Sequence, residues 1–218
     1  MESYNYERTI KSITDESEKI NMKYSSEGDG RITSAVKETE YLDKLNKGLR
    51  ENHPSILFEY PPTHRWWWDC KIDGIPINLK LTTGGTDNVF NKVAIIYSIS
   101  GKEPAVKNMN FNTFFQKIKA CVRKNERNLI TEYHYLVVNK NTGKILLKSI
   151  FDVINFKTNP CNILQINWCS EFLVREEDSG IVRFEEKYKN LLKIIQKSVI
   201  QDIKGKSEFA EANIGVEL

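Results

Sequence analysis

The chain has 218 residues, 40% of them hydrophobic and 28% charged, with a formal net charge of +3. That is material for one sizeable core, and the mild basic balance permits a polyanionic partner without demanding one. No run approaches the roughly 18 apolar residues of a membrane span, and the polar opening MESYNYERTIKSITDESEK has the features of neither a signal nor a transit peptide, which predicts a cytoplasmic protein with no membrane association.

In chain order, residues 1–24 read as a charged, weakly amphipathic helical arm, followed by the turn SSEGDG. RITSAVKETEYLDKLNKGL places Ile32, Ala35, Val36, Leu42, Leu45 and Leu49 at helical spacing, and Gly48 with the Asn52–Pro54 stretch predicts its end. ILFEY (56–60) predicts a short strand broken by Pro61-Pro62, and residues 66–72 and 75–82 read as two strands joined by Asp73-Gly74, a strong two-residue hairpin signal. A Gly-rich loop covers 82–88, and 93–99 fits a strand or part of a helix. FNTFFQKIKACVRK predicts a helix with Phe111, Phe114, Phe115, Ile118 and Val122 inward.

EYHYLVVNK and KILLKSIFDV read as strands around an Asn141-Thr142-Gly143 turn, ILQINW as another, and roughly 182–203 as the last long helix, with a loose polar tail from 206. This order predicts one mixed α/β domain around a largely central sheet, with a core at 30–125 and sheet completion, dimer or recognition elements at 126–205. Cys70, Cys121, Cys161 and Cys169 form no CxxC and have no ligand-like spacing to His53, His64 or His134, so they read as reduced packing residues rather than a zinc site.

The chemistry concentrates in WWWDCKIDGIPINLKL. With Asp73-Gly74 as the turn, Ile72 faces Ile75, Lys71 faces Pro76, Cys70 faces Ile77 and Asp69 faces Asn78. Lys80 lies two residues beyond Asn78, so an acid, an amide and an ammonium share one sheet face. A hard divalent cation takes oxygen ligands: the Asp69 carboxylate, the Asn78 amide oxygen and the Leu79 backbone carbonyl. Lys80 could orient or deprotonate an attacking water, or stabilise charge on a phosphate. The same spacing also fits an ordinary polar outer face of a hairpin.

Asp69 followed by Asn78-Leu79-Lys80 resembles the PD-(D/E)xK nucleases, most closely type II restriction endonucleases, over roughly residues 30–125. The resemblance implies a restriction-endonuclease-like mixed central β-sheet flanked by helices, Mg2+-dependent cleavage of double-stranded DNA at a short sequence, and a homodimer. The family's second acid stands where this chain has Asn78, giving an NxK variant; Asp87-Asn88 matches a loop that accompanies such variants. A helix acid often completes the metal site in this family. Glu38, at the edge of the apolar helix face, is the better candidate; Glu40 points to solvent, and Glu59 is a third.

Trp66, Trp67 and Trp68 read first as core and sheet-covering residues, with base stacking as the rival reading. Thr82, Thr83, Gly84, Gly85, Asp87, Asn88 and Lys92 form a candidate DNA-contacting loop, since glycines let backbone N–H groups approach an anion. His64 and Arg65 are weaker phosphate candidates. Lys119 and Arg123 lie on the basic face of the 111–124 helix, which either meets a phosphate backbone or is simply solvated. The rival expectations are a non-catalytic DNA-binding protein of this fold, a repair or junction nuclease, and an α/β domain that binds a protein partner.

Overall fold

The computed structural model describes residues 2–22, 30–63, 66–83, 88–89, 91–103, 109–124, 133–159, 162–174 and 184–211. The chain is mixed α/β and divides into two compact units, one of residues 1–84 and 91–150, the other of 85–90 and 151–218. No helix among the described residues is long and apolar enough to cross a membrane.

The first unit holds helices α1 (Glu2–Glu18), α2 (Gly30–Asn52), α3 (Lys92–Ser100) and α4 (Phe111–Lys124). Its strands are β1 (Phe58–Glu59), β2 (Cys70–Ile72), β3 (Ile75–Thr82), β5 (His134–Asn139) and β6 (Ile145–Ser149), while β4 (Asn88–Val89) belongs to the other unit. They form one five-stranded mixed sheet, ordered β1-β2-β3-β5-β6 and flanked by helices. Among the described strands of this sheet only β3 and β5 run parallel, with Asn78 opposite Tyr135 and Lys80 opposite Val137.

One sheet face packs Cys70, Ile72, Ile77, Leu79, Leu136 and Val138 against Ile13 of α1 and Tyr41, Leu42, Leu45 and Leu49 of α2. By strand alternation, Asn78, Lys80 and Thr82 look the other way. On that side Trp67 stacks on Tyr133 at 5.9 Å and meets Tyr97 of α3 at 4.8 Å between ring centroids.

The Asp73-Gly74 turn forms as expected, both residues at positive φ (48° and 78°), and sets the register Ile72–Ile75, Lys71–Pro76 and Cys70–Ile77. Its aspartate also anchors the unit: Asp73 accepts from Leu57 N at 2.8 Å and from Thr9 Oγ1 at 2.6 Å. The N-terminal helix is therefore stapled to the hairpin instead of standing off as an arm. A buried Glu16 fastens it to α2, accepting from Asn52 Nδ2 and from Lys19 Nζ, with His53 beside it.

Several sequence expectations need correction. Helix α2 runs past Gly48 to Asn52, because a glycine facing the Glu16 carboxylate serves close approach and not termination. Its buried stripe is Tyr41, Leu42, Leu45 and Leu49, whereas Ala35, Val36 and Thr39 are exposed. Residues 66–69 are not strand, so Trp67 and Trp68 are both buried without alternation. Of the two readings open for residues 93–99, strand or helix, the helix forms, capped by Asn91, whose Oδ1 accepts from Val93 N and Ala94 N. In α4, Phe114 and Ile118 are buried and Phe111 and Phe115 half-buried.

The second unit contains β4 (Asn88–Val89), β7 (Phe156–Asn159) and β8 (Asn162–Ile166) in an antiparallel sheet ordered β4-β8-β7, with helices α5 (Trp168–Glu171) and α6 (Phe184–Glu211). Buried Glu171 accepts from Ile154 N and Asn155 N, tying α5 to the segment before β7. Trp168 starts this short helix and does not extend the preceding strand. The last helix continues through Gly205 to Glu211, so residues 206–211 are helical and not a loose tail.

Candidate functional site

The hairpin ladder stops one pair earlier than its sequence suggests. Asp69 N donates to Ile77 O at 2.8 Å, the residue opposite Cys70, so the expected Asp69–Asn78 backbone pair does not form. The Asp69 carboxylate instead accepts from Leu79 N at 2.8 Å. A side-chain oxygen thus takes the place of the backbone acceptor that a longer β2 would have supplied, and the freed chain turns away with Trp67 and Trp68 into the aromatic cluster.

In an extended strand the N–H and C=O of one residue point to the same edge. The Leu79 carbonyl therefore projects toward the side on which Asp69 lies, past the end of β2. Asn78 is 9% exposed, and its Oδ1 is buried without a hydrogen-bond partner. A buried amide oxygen left unmatched costs on the order of 1–3 kcal/mol, so this atom is available to an electropositive ligand.

Lys80 is half-buried at the same sheet face. Glu38 comes from α2, which covers the opposite, Leu79 face; it sits one turn before Tyr41 and Leu42, continues their buried stripe, and is near enough for the charges of Asp69 and Lys80 to act on it. Burial pushes the Glu38 carboxyl above its ordinary value; Lys80 and Lys140 draw it down, and Asp69 adds to the rise. Asp69 is likewise raised by burial, against the pull of the Lys80 ammonium and the Leu79 N–H. Burial raises the proton affinity of both carboxyls, and the Asp69 charge adds to that of Glu38; a cation could take the place of the proton. Among the described residues no three His, Cys, Asp or Glu side chains cluster; the groups that could hold a cation here are the two carboxylates with neutral amide and carbonyl oxygens. That all-oxygen set fits a hard divalent cation.

Glu40 is spent elsewhere, paired with Lys37 at 2.7 Å and Lys44 at 3.0 Å, and Glu59 is exposed on the edge strand. Of the loop candidates, Thr82 is buried and its carbonyl accepts from Lys140 N, while Thr83 is exposed. The Lys92 ammonium rests 4.3 Å from the centre of the Phe111 ring. Lys119 is exposed on α4. Asn88 lies in β4 of the other unit. Gly84, Gly85, Asp87, His64 and Arg65, and the side chains of Asn88 and Arg123, fall outside the described residues.

No local sequence pattern singles out Lys140. The Asn141-Thr142-Gly143 turn is legible, but only the parallel pairing of β3 with β5 brings it beside the end of β3. No protein-family model matches the chain, and no curated protein matches it beyond chance.

Proposed function

We propose that the chain is a Mg2+-dependent nuclease that hydrolyses double-stranded DNA at a short specific sequence, with a restriction-endonuclease-like core and an NxK form of the PD-(D/E)xK motif. What supports this reading is that the charges of Asp69 and Lys80 both act on the half-buried Glu38 carboxyl and Lys80 acts on Asp69, whose carboxylate accepts from Leu79 N beside the buried, unmatched Asn78 Oδ1.

Asp69, Glu38, the Asn78 side chain and the Leu79 carbonyl would hold the metal. Bound there, Mg2+ supplies Lewis acidity and acidifies water. The chain's own groups do the rest. Asp69, fixed by the Leu79 N–H, is a rigid oxygen donor. Lys80 stands on the same face as Asn78, where its ammonium lies against the attacked phosphate and orients the incoming water. Attack on phosphorus forms the new P–O bond and breaks the bond to the 3′ oxygen, leaving a 5′-phosphate and a 3′-hydroxyl that takes up a proton. Two copies related by a two-fold axis would cut both strands of a palindrome.

The neutral Asn78 favours one rival, a DNA-binding protein that has lost cleavage. Comparing Lys80→Ala with the parent protein decides between them. Cleavage is expected to fall by about 10²-fold or more while duplex binding persists. Equal cleavage by the variant removes the role given to Lys80, and salt-sensitive binding by the parent without Mg2+-dependent nicking supports the rival.

A further inference from the structure

β3 and β5 are parallel, so their carboxyl ends lie at one sheet edge, outside which open α/β sheets bind their ligands. Lys140 is the first residue beyond β5. Its backbone N–H donates to Thr82 O at 2.7 Å, and Asn141 Nδ2 donates to Thr83 O at 3.2 Å, pinning the β5–β6 turn to the end of the Lys80 strand. The turn is itself rigid: Asn139 Oδ1 accepts from Asn141 N and Thr142 N, and Gly143, at φ 70°, returns its N–H to Asn139 O at 2.8 Å. Residues 141–144 are exposed, yet Lys140 is half-buried. Its charge acts on Glu38, as that of Lys80 does.

We propose that Lys140 is a second phosphate-binding lysine of this site, contacting a DNA phosphate next to the one attacked. This rests on the nuclease reading. In the free protein Lys140 offsets the charge of Glu38; once a cation sits among the carboxylates, that role passes to the cation and the ammonium is left to the DNA backbone. The rigid turn fixes where the lysine emerges, which suits positioning of a strand more than loose attraction.

The test is binding of mixed-sequence duplex DNA in Ca2+ over a salt series, for the parent, Lys140→Met and Lys140→Arg. Removing a single lysine–phosphate interaction should reduce the slope of log K against log salt by about 0.9, with weaker binding for Lys140→Met and recovery for Lys140→Arg. Ca2+ affinity, measured by calorimetry without DNA, should hold or rise in Lys140→Met, since a neighbouring positive charge has gone. A lysine that only balances Glu38 would change Ca2+ affinity or the melting temperature and leave the salt slope as in the parent, which overturns the proposal. If the parent itself shows no salt-dependent DNA binding, the nuclease reading fails and this proposal with it. An unchanged slope beside normal parent binding overturns the Lys140 role alone.

Discussion

On the proposed nuclease reading, Asn78 decides how strongly the site would hold a cation, because its oxygen is buried and unmatched but carries no charge. Two unit charges about 4 Å apart attract by about 4 kcal/mol even at an effective dielectric near 20, and a dication at ligand distance by more, much of which is lost to desolvation. Asn78→Asp is therefore expected to tighten Mg2+ binding by about tenfold or more in calorimetry; equal or weaker binding would remove Asn78 from the ligand set. Asp69 and Glu38 supply a pH test. Both carboxyls are held above their ordinary values by burial, so the folded state binds more protons than the unfolded one. Stability then falls as pH rises from the ordinary carboxylate range through the raised values. Without metal, Asp69→Asn and Glu38→Gln should melt higher than the parent at neutral pH and lose that advantage in acid. Mg2+ should raise the melting temperature of the parent more than that of either variant. Lower melting of both amide variants at neutral pH would contradict the electrostatics described. Glu16 has the opposite sign. Burial pushes it up, but Lys19, Asn52 and His53 outweigh this and leave it below its ordinary value, so its stabilisation is present at neutral pH and lost in acid.

Elements were legible where a local rule fixed them. Asp73-Gly74 set a turn and thereby a register, which held through Cys70. It failed at Asp69, because a carboxylate replaced a backbone acceptor and no local pattern announces that exchange. Helix α2 does end at Asn52, within the stretch that predicted it, but the terminating part given to Gly48 was wrong for a related reason. A Cβ on Gly48 would stand 2.6 Å from Glu16 Oε2, so that glycine answers to a partner helix and not to its own. Gly48→Ala gains about 1 kcal/mol in helix propensity but displaces a buried carboxylate whose charge-assisted hydrogen bonds are worth about 1.5–3 kcal/mol each. The expected net loss is about 1–2 kcal/mol, or a fall in melting temperature of about 2–8 °C for a chain of this size. A variant as stable as the parent would mean that the α1–α2 contact yields without cost. The half-burial of Glu38 was legible because it extends the buried stripe of its helix, though that stripe runs through Tyr41 and Leu45 and not through Ala35 and Val36.

At the scale of the molecule, the order of segments along the chain indicated strands and helices but not their pairing. The parallel contact of β3 with β5, separated by α3 and α4, sets two carboxyl ends side by side and brings Lys140 to the site. Nor did that order indicate the division of the chain, since residues 85–90 leave the first unit and Asn88–Val89 pair with β8 in the second. The most direct measurement of whether this assembly cleaves DNA is digestion of a sequence-diverse plasmid by the full chain with Mg2+, read on a gel beside the same reaction in EDTA. Discrete fragments ending in 5′-phosphates, formed only with Mg2+, are the predicted result; intact plasmid at every Mg2+ concentration, from protein that is folded and binds the metal, would contradict it.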